Sequence, residues 1–395
     1  MNVILFDDPI ARTQLLPLTF TRPVASLRVG ILTIAEKWKA RLDADISFGT
    51  QSYLENKFPR LTTSDNYWIS GSICPDESFI SVLRILKPED AIEKNGRILA
   101  VRTADDEVPE VITGKVHSYP GELTIVDQPW KIFNYNGAQI RTDFEIITKG
   151  RSSYAVNDKA TVVYNETNVF IEEGVTFKAA ILNAENGPIY LGKNSQVQEG
   201  AIIRGPFSLG ERSIINMGGK MRGDTTIGPD CKIGGEVSNS VVYAFTNKAH
   251  DGYLGNSVLG EWCNLGADTN TSNMKNTYDI VKLWSYATRS FVSTDLYFCG
   301  LVMGDHSKAG INTMFNTGTS VGVNSNVLSD GGYPPNFIPS FAWAGQNTYD
   351  IEKALTTAER AMGRRHLAMT DDDRMILREV FSASAVDRKW EKTRS

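Results

Sequence analysis

The chain has 395 residues, with 41 Lys and Arg against 46 Asp and Glu, a formal net charge of −5 and 41% apolar residues. That balance argues against a general nucleic-acid binder, whose phosphate contacts need a basic surface. No apolar run approaches the roughly 18 residues of a membrane-spanning helix, so no membrane is expected as a partner. The length predicts two or three domains. The opening Met1–Asp8 has neither the basic run nor the cleavage site of a signal peptide. Cys74, Cys231, Cys263 and Cys299 are scattered without a CxxC pair, which predicts a cytoplasmic protein without disulfides. Only four histidines are present and HExxH is absent, which weighs against a zinc enzyme.

The first 150 residues read as an α/β layer domain. Val3-Ile4-Leu5-Phe6 is a short buried-type strand. A helix is predicted over Val29–Leu42, with Ile31, Ile34, Ala35 and Trp38 on one side. Tyr67–Ile69 and Ile98–Val101 read as strands, and Ile80–Leu86 as strand or helix. The segment from Gln128 to about Gly150 reads as a connector.

A repeat follows. Every sixth residue from Leu191 is aliphatic: Val197, Ile203, Leu209, Ile215, Met221, Ile227, Ile233. Glycine often comes next, at Gly192, Gly210, Gly228 and Gly234. The pattern returns at Leu259-Gly260 and Leu265-Gly266, and again from Met303-Gly304 to Val327, with an earlier piece at Ile171 and Phe177. A period of six is neither helical nor simply alternating. It predicts a parallel β-helix in which three hexapeptides make one coil of a triangular prism and the aliphatic residue points inward. Each coil buries its side chains against its neighbours. Two stretches break the register, about 239–258 and 271–302, and are expected as projecting loops. Asp350–Met362 and Asp371–Ser382 have helical spacing and predict a helical tail on the prism or over its open end. The predicted domains are therefore 1–150, 151–345 and 346–395.

Lys248-Ala249-His250-Asp251-Gly252-Tyr253-Leu254-Gly255, Asn264-Leu265-Gly266-Ala267 and Thr271-Ser272-Asn273, with Lys275, fall in and after the first break. In order and type they resemble the acyltransferase half of the bifunctional enzymes that make UDP-N-acetylglucosamine, a sugar nucleotidyltransferase joined to a left-handed β-helix. Arg12–Val24, with Pro17-Leu18-Thr19 and Arg22-Pro23, resembles the opening of a shortened bacterial form of that family. The glycines of the family's phosphate loop are replaced by Asp7-Asp8-Pro9. Two carboxylates there would repel a triphosphate unless they held a magnesium ion.

The resemblance implies acetyl transfer from acetyl-CoA to an amino-sugar 1-phosphate, with glucosamine 1-phosphate the best candidate, and uridylyl transfer from UTP by the first domain. His250 would be the general base, a role suited to a group that titrates near ambient pH. Tyr253, Asn264 and Asn273 would hold the sugar phosphate, and Ala267 would lie near the thioester. Lys220, Arg222, Lys248 and Lys275 are the candidate cations for the sugar phosphate. Lys282, Arg289 and Lys308 are available to the coenzyme, which in this family lies between the prisms of a homotrimer. Arg12, Arg22 and Lys37 are the expected nucleotide contacts, with Mg2+ if that domain is active. His306 is a rival base. Two other readings stand beside this one. One is a nucleotidyltransferase acting on a hexose 1-phosphate whose prism serves only assembly or regulation. The other is a scaffold or a β-helix hydratase, which would need three prism histidines.

Overall fold

The computed structural model describes residues 1–42, 44–328, 331–345 and 347–392. The chain forms two compact units: one of residues 1–15, 21–28 and 32–128, the other of 16–20, 29–31 and 129–395.

The first unit is an α/β layer. Its six-stranded sheet runs in the order Asp45–Gly49, Asn2–Phe6, Asn66–Ser70, Arg97–Thr103, Ala91–Lys94, Val116–Ser118. Asn2–Phe6 is parallel to both neighbours, with Val3 opposite Ile46 and Tyr67. An interior parallel strand is covered on both faces, which is why Val3, Ile4 and Leu5 are a continuous apolar run, all buried. The helix predicted from Val29 begins at Ile34. Thr33 stops it short. Its hydroxyl accepts the Glu36 N–H at 3.2 Å while the Glu36 carboxylate accepts the Thr33 N–H at 2.6 Å, a capping box that periodicity alone passes over. Trp38 on this helix is buried, and its Nε1 donates to the Ile73 carbonyl at 2.9 Å. The ambiguous 80–86 segment lies in and just after a helix, Glu77–Arg84, capped by Asp76.

The second unit is a parallel β-helix with three long sheets, one per prism face, fitting the left-handed hexapeptide prism expected from the period. One face runs through Val169–Ile171, Ile189–Leu191 and Phe207–Leu209. The next runs through Thr176–Phe177, Gln196–Val197 and Ile214–Ile215, and the third through Val162–Tyr164, Ile181–Asn183 and Ile202–Arg204. Every hexapeptide aliphatic read from the sequence, from Ile171 to Val327, lies in one interior column. Val156 and Val163 pack against that column near the start of the prism, and Trp390 packs against it from the tail.

The connector is a 20-residue helix, Pro129–Thr148. It belongs to the second unit and lies against the first face. Gly137 permits the approach, since a Cβ there would fall 1.9 Å from an Asp224 carboxylate oxygen. The tail helices are Ile351–Gly363, capped by Asp350, and Asp371–Ala383, opened by a Thr370–Asp373 capping box. Beyond them Arg388 is buried. It donates to the Phe381 carbonyl at 3.0 Å and to the Ser340 carbonyl in the last coil at 3.4 Å. Among the described residues no helix is long and apolar enough to cross a membrane.

The two register breaks differ in kind. Regular coils take 18 residues, as from Ile214 to Lys232. The next takes 15, Lys232 to Asn247, and the one after takes 17, Asn247 to Asn264. The first break is therefore a shortening, and the expected projecting loop at 239–258 is absent: all three faces continue through it. The second is a true insertion. Asn264 pairs with Lys308, 44 residues on, and the extra chain folds into a hairpin of Lys282–Ser285 and Ser290–Ser293.

Candidate active site

The shortened coil makes the site. Between Ile215 and Lys220 the corner has four residues, Asn216–Gly219; in the next coil it has two, Gly234-Gly235; then four again, Ala249–Gly252. His250 therefore stands on a corner whose neighbour is retracted, and it is exposed. The Asn216 side chain bridges the retracted corner and donates to the Ala249 carbonyl at 2.9 Å. Only glycine fits beneath the turn: a Cβ on Gly234 would sit 2.2 Å from the Ala249 oxygen. On its other side the turn stacks on Gly266–Thr269, with the Asp268 N–H bonded to the Asp251 carbonyl at 3.1 Å. That places the half-exposed Ala267 on the adjoining corner.

The third face leads away from His250 through a ladder of Lys220, Glu236 and Tyr253. Arg222 extends from the same strand and pairs with Glu236 at 3.2 Å. The half-buried Tyr253 hydroxyl accepts from Asn273 Nδ2 at 3.1 Å, and the same nitrogen reaches Asn256 Oδ1 at 2.8 Å. Burial raises the Tyr253 phenol above its ordinary value, with the Arg222 charge opposing. Beside Arg222 is a cavity of about 330 Å³ lined by Arg141, Arg204, Arg222, Asp224 and Ser238. Burial raises the Asp224 carboxyl and Arg141 counters it. Three arginines against one carboxylate line this small cavity, a lining that suits an anion. Sequence reasoning passed over Arg204 and Arg141. Arg204 lies 18 residues before Arg222, one coil away on the same face, so coil arithmetic alone would have paired them.

The remaining predicted residues disperse. Asn264 is on the second face, across the edge from Tyr253, and accepts from Asn247 Nδ2 at 2.9 Å in a stacked ladder. Lys308 is its half-buried neighbour and donates to the His306 carbonyl at 2.7 Å; burial lowers its pKa. Lys275 donates to the Ile280 carbonyl at 2.8 Å. With the exposed Lys282 it lines a cavity of about 1190 Å³ with Trp284, Phe291, Phe337 and Trp390. Arg289 is exposed and 3.9 Å from Asp387.

Lys248 is a correction. It occupies the inward hexapeptide position opposite Ile233 and is 1% exposed, so it cannot meet a sugar phosphate at the surface. Its ammonium donates to the Gly234 carbonyl at 3.0 Å and to the His250 carbonyl at 2.6 Å. Burial pushes its pKa down to about 8, against the pull of Asp251 and Asp268. The rival base His306 is 9% exposed and stacked on Trp262, with centroids 6.1 Å apart and planes 7° apart.

In the first unit the expected nucleotide contacts are enclosed. Arg12 donates to Asp7 and to the Tyr53 hydroxyl, both at 2.8 Å, while Arg22 and Lys37 are buried. That corrects the expectation of three cations open to a nucleotide: Arg12 on the helix Pro9–Gln14, Arg22 in the loop after it and Lys37 on the helix Ile34–Leu42 are all buried. Asp7 also accepts from Thr50 and the Val24 N–H. Asp8 caps the helix Pro9–Gln14 and pairs with Arg97 at 3.0 Å. Both carboxylates are committed to the protein, which does not fit a magnesium site. No cluster of three or more His, Cys, Asp or Glu placed to hold a metal occurs among the described residues.

Comparison with known proteins adds to this geometry. The sugar nucleotidyl transferase family profile matches residues 3–152. The bifunctional protein GlmU of Synechococcus elongatus is 33% identical over 304 residues, covering 73% of this chain and 56% of that protein. The chain is similar to GlmU bifunctional proteins over part of their length, and to sugar nucleotidyl transferases over residues 3–152. The GlmU of Methanocaldococcus jannaschii is 36% identical over 89 residues, 22% of this chain and 21% of the relative. The chain thus spans little more than half of one of these relatives and a fifth of the other. A solved Arabidopsis UDP-N-acetylglucosamine acyltransferase aligns with 54% of this chain and 78% of its own at 14% identity and a TM-score of 0.24, too low to bear on the site. The GlmU-like resemblance read from the motifs is thus matched independently by profile and by relatives.

Proposed function

We propose that this protein acts in sugar-nucleotide synthesis, with the prism transferring an acetyl group from acetyl-CoA to the amine of an amino-sugar 1-phosphate, glucosamine 1-phosphate being the preferred acceptor. The observation that carries the reading is the His250 corner. A histidine is held out over a retracted turn, and the face that begins beside it bears Tyr253, Asn273 and Arg222. In the reaction the imidazole takes a proton from the substrate ammonium. The freed amine adds to the thioester carbonyl, and the tetrahedral adduct breaks its C–S bond. The adduct nitrogen gives up a second proton, which the departing thiolate takes through His250, while the first is released to solvent. The phosphate has a place in the Arg141–Arg204–Arg222 cavity. The aromatic and lysine-lined cavity beside the hairpin suits the coenzyme's nucleotide end. A homotrimer, a cytoplasmic location and uridylyl transfer by the first unit belong to the same proposal.

The test is CoA release from acetyl-CoA with glucosamine 1-phosphate, in wild type and His250→Ala. A wild-type rate in the variant removes His250 from the role. Pyrophosphate release on mixing UTP with N-acetylglucosamine 1-phosphate tests the first unit separately.

A further inference from the structure

The interior column of the prism is aliphatic on both sides of Lys248: its counterparts on the same face are Ile215, Ile233 and Leu265. A lysine in that column gives up the hydration of its ammonium, a cost that packing of its methylene stem does not offset, so packing does not explain it. Its ammonium does one evident thing, which is to hold two main-chain carbonyls, those of Gly234 and His250. From the retracted side Asn216 holds the Ala249 carbonyl. The two peptide groups that flank the His250 α-carbon are therefore each pinned by a side chain, one reaching from inside the prism and one from two coils away.

We infer that Lys248 and Asn216 are positioning residues that fix the His250 turn for proton transfer. The inference rests on the proposed role of His250 for its functional half only. The clamp on the turn is a separate structural claim. The physical need is plain. The two-residue Gly234-Gly235 corner is too short to give the Ala249–Gly252 turn the mid-corner hydrogen bond that a regular corner makes, as the Gly218 N–H makes to the Glu199 carbonyl. A four-residue turn stacked fully on one side only would wander over distances that general-base catalysis does not tolerate.

The experiment uses the full-length protein with Lys248→Met, Lys248→Gln and Asn216→Ala. Methionine fits the column, as Met221 does on the adjoining face, and glutamine retains two N–H donors. Two readouts are taken. The first is amide hydrogen exchange at Glu236 and Asp268, whose N–H groups donate to the Gly252 and Asp251 carbonyls of the turn. The second is kcat and KM for acetyl-CoA with glucosamine 1-phosphate. Lys248→Met is expected to exchange about 10-fold faster at both amides and to lose about 10-fold or more in kcat, as a misplaced base does, with KM for the sugar phosphate nearly unchanged. Lys248→Gln recovers part of both, and Asn216→Ala shows the same signature more weakly. Wild-type exchange in Lys248→Met overturns the clamp. A fall confined to KM overturns the positioning role. If Lys248→Met does not fold, Lys248→Gln and Asn216→Ala give the same two readings. If His250→Ala retains full activity, the base assignment fails while the exchange data still decide the clamp.

Discussion

Two histidines stand at corners of the same prism, and the structure uses them in opposite ways. His306 has a left-handed backbone, φ 60°, and lies in a column with Trp262 and Phe245, both also at φ 60°. Phe245 and Trp262 stack at 4.2 Å with planes 4° apart, and His306 continues the stack. Each residue of this column donates its N–H to the coil before it, so regular corner spacing aligns the rings and leaves His306 buried at the end of the stack. His250 sits where the spacing fails. Its neighbouring corner is two residues shorter, so it has no ring to stack on, and the backbone is held by Asn216 and Lys248 instead. A regular corner makes a structural histidine and a retracted one makes an available histidine. The lesson is that an irregularity in a repeat can matter more than the residue type that occupies it.

Exchanging the two histidines for alanine breaks the comparison most sharply. His250→Ala is expected to lower the rate of CoA release with glucosamine 1-phosphate by about 10²-fold or more, the contribution of a general base, while its melting temperature stays near wild type. Removing the anion site sharpens the other side of the edge. Arg204→Ala with Arg222→Ala is expected to raise KM for the sugar phosphate by roughly 30-fold with kcat little changed, since each guanidinium–phosphate bond is worth about 1.5–3 kcal/mol and the two are not fully additive. Steady-state kinetics over the sugar-phosphate concentration range check this.

Stability against pH separates the clamp from ordinary packing. The folded Lys248 pKa is lowered to about 8 from 10.5 by burial. Below pH 8 both folded and unfolded chains carry the charge, and the native state bears its full desolvation penalty. From about pH 8 to 10.5 the unfolded chain binds the extra proton, so native stability rises with pH. Lys248→Met is therefore expected to be more stable than wild type at pH 7, by about 2 kcal/mol, with that advantage shrinking as pH approaches 10. Urea denaturation at pH 7, 9 and 10 measures both. A variant that is more stable and less active is the signature of a residue kept for positioning. Least in size, His306→Ala is expected to lose about 1 kcal/mol of stability with the stacked ring, at a nearly unchanged kcat.

Much of this was legible from the chain alone. Period six from Leu191 to Ile233 specifies the prism because an inward aliphatic at each face is a local requirement, met residue by residue. The tail helices were legible for the same reason, through Asp350 and the spacing of Ile351, Ala354, Leu355 and Ala358. The order Lys248, His250, Tyr253, Asn264, Asn273 was enough to suggest acyl transfer. The direction in which Lys248 points was not legible, because it depends on counting across a coil that had lost three residues. A one-dimensional pattern cannot show whether a missing beat is a loop added or a corner removed.

The sequence by itself determined the repeat architecture and pointed to His250, Tyr253, Asn273 and Arg222 for the proposed site, because these follow from short-range rules of spacing and type. Only the tertiary structure decided which cations face solvent. It turned Lys248, Lys37 and Arg12 inward and brought Arg141, Arg204 and Arg222 to one cavity. The physical reason is that burial is a property of coils stacked on one another, and a residue's place in that stack is set by every coil before it.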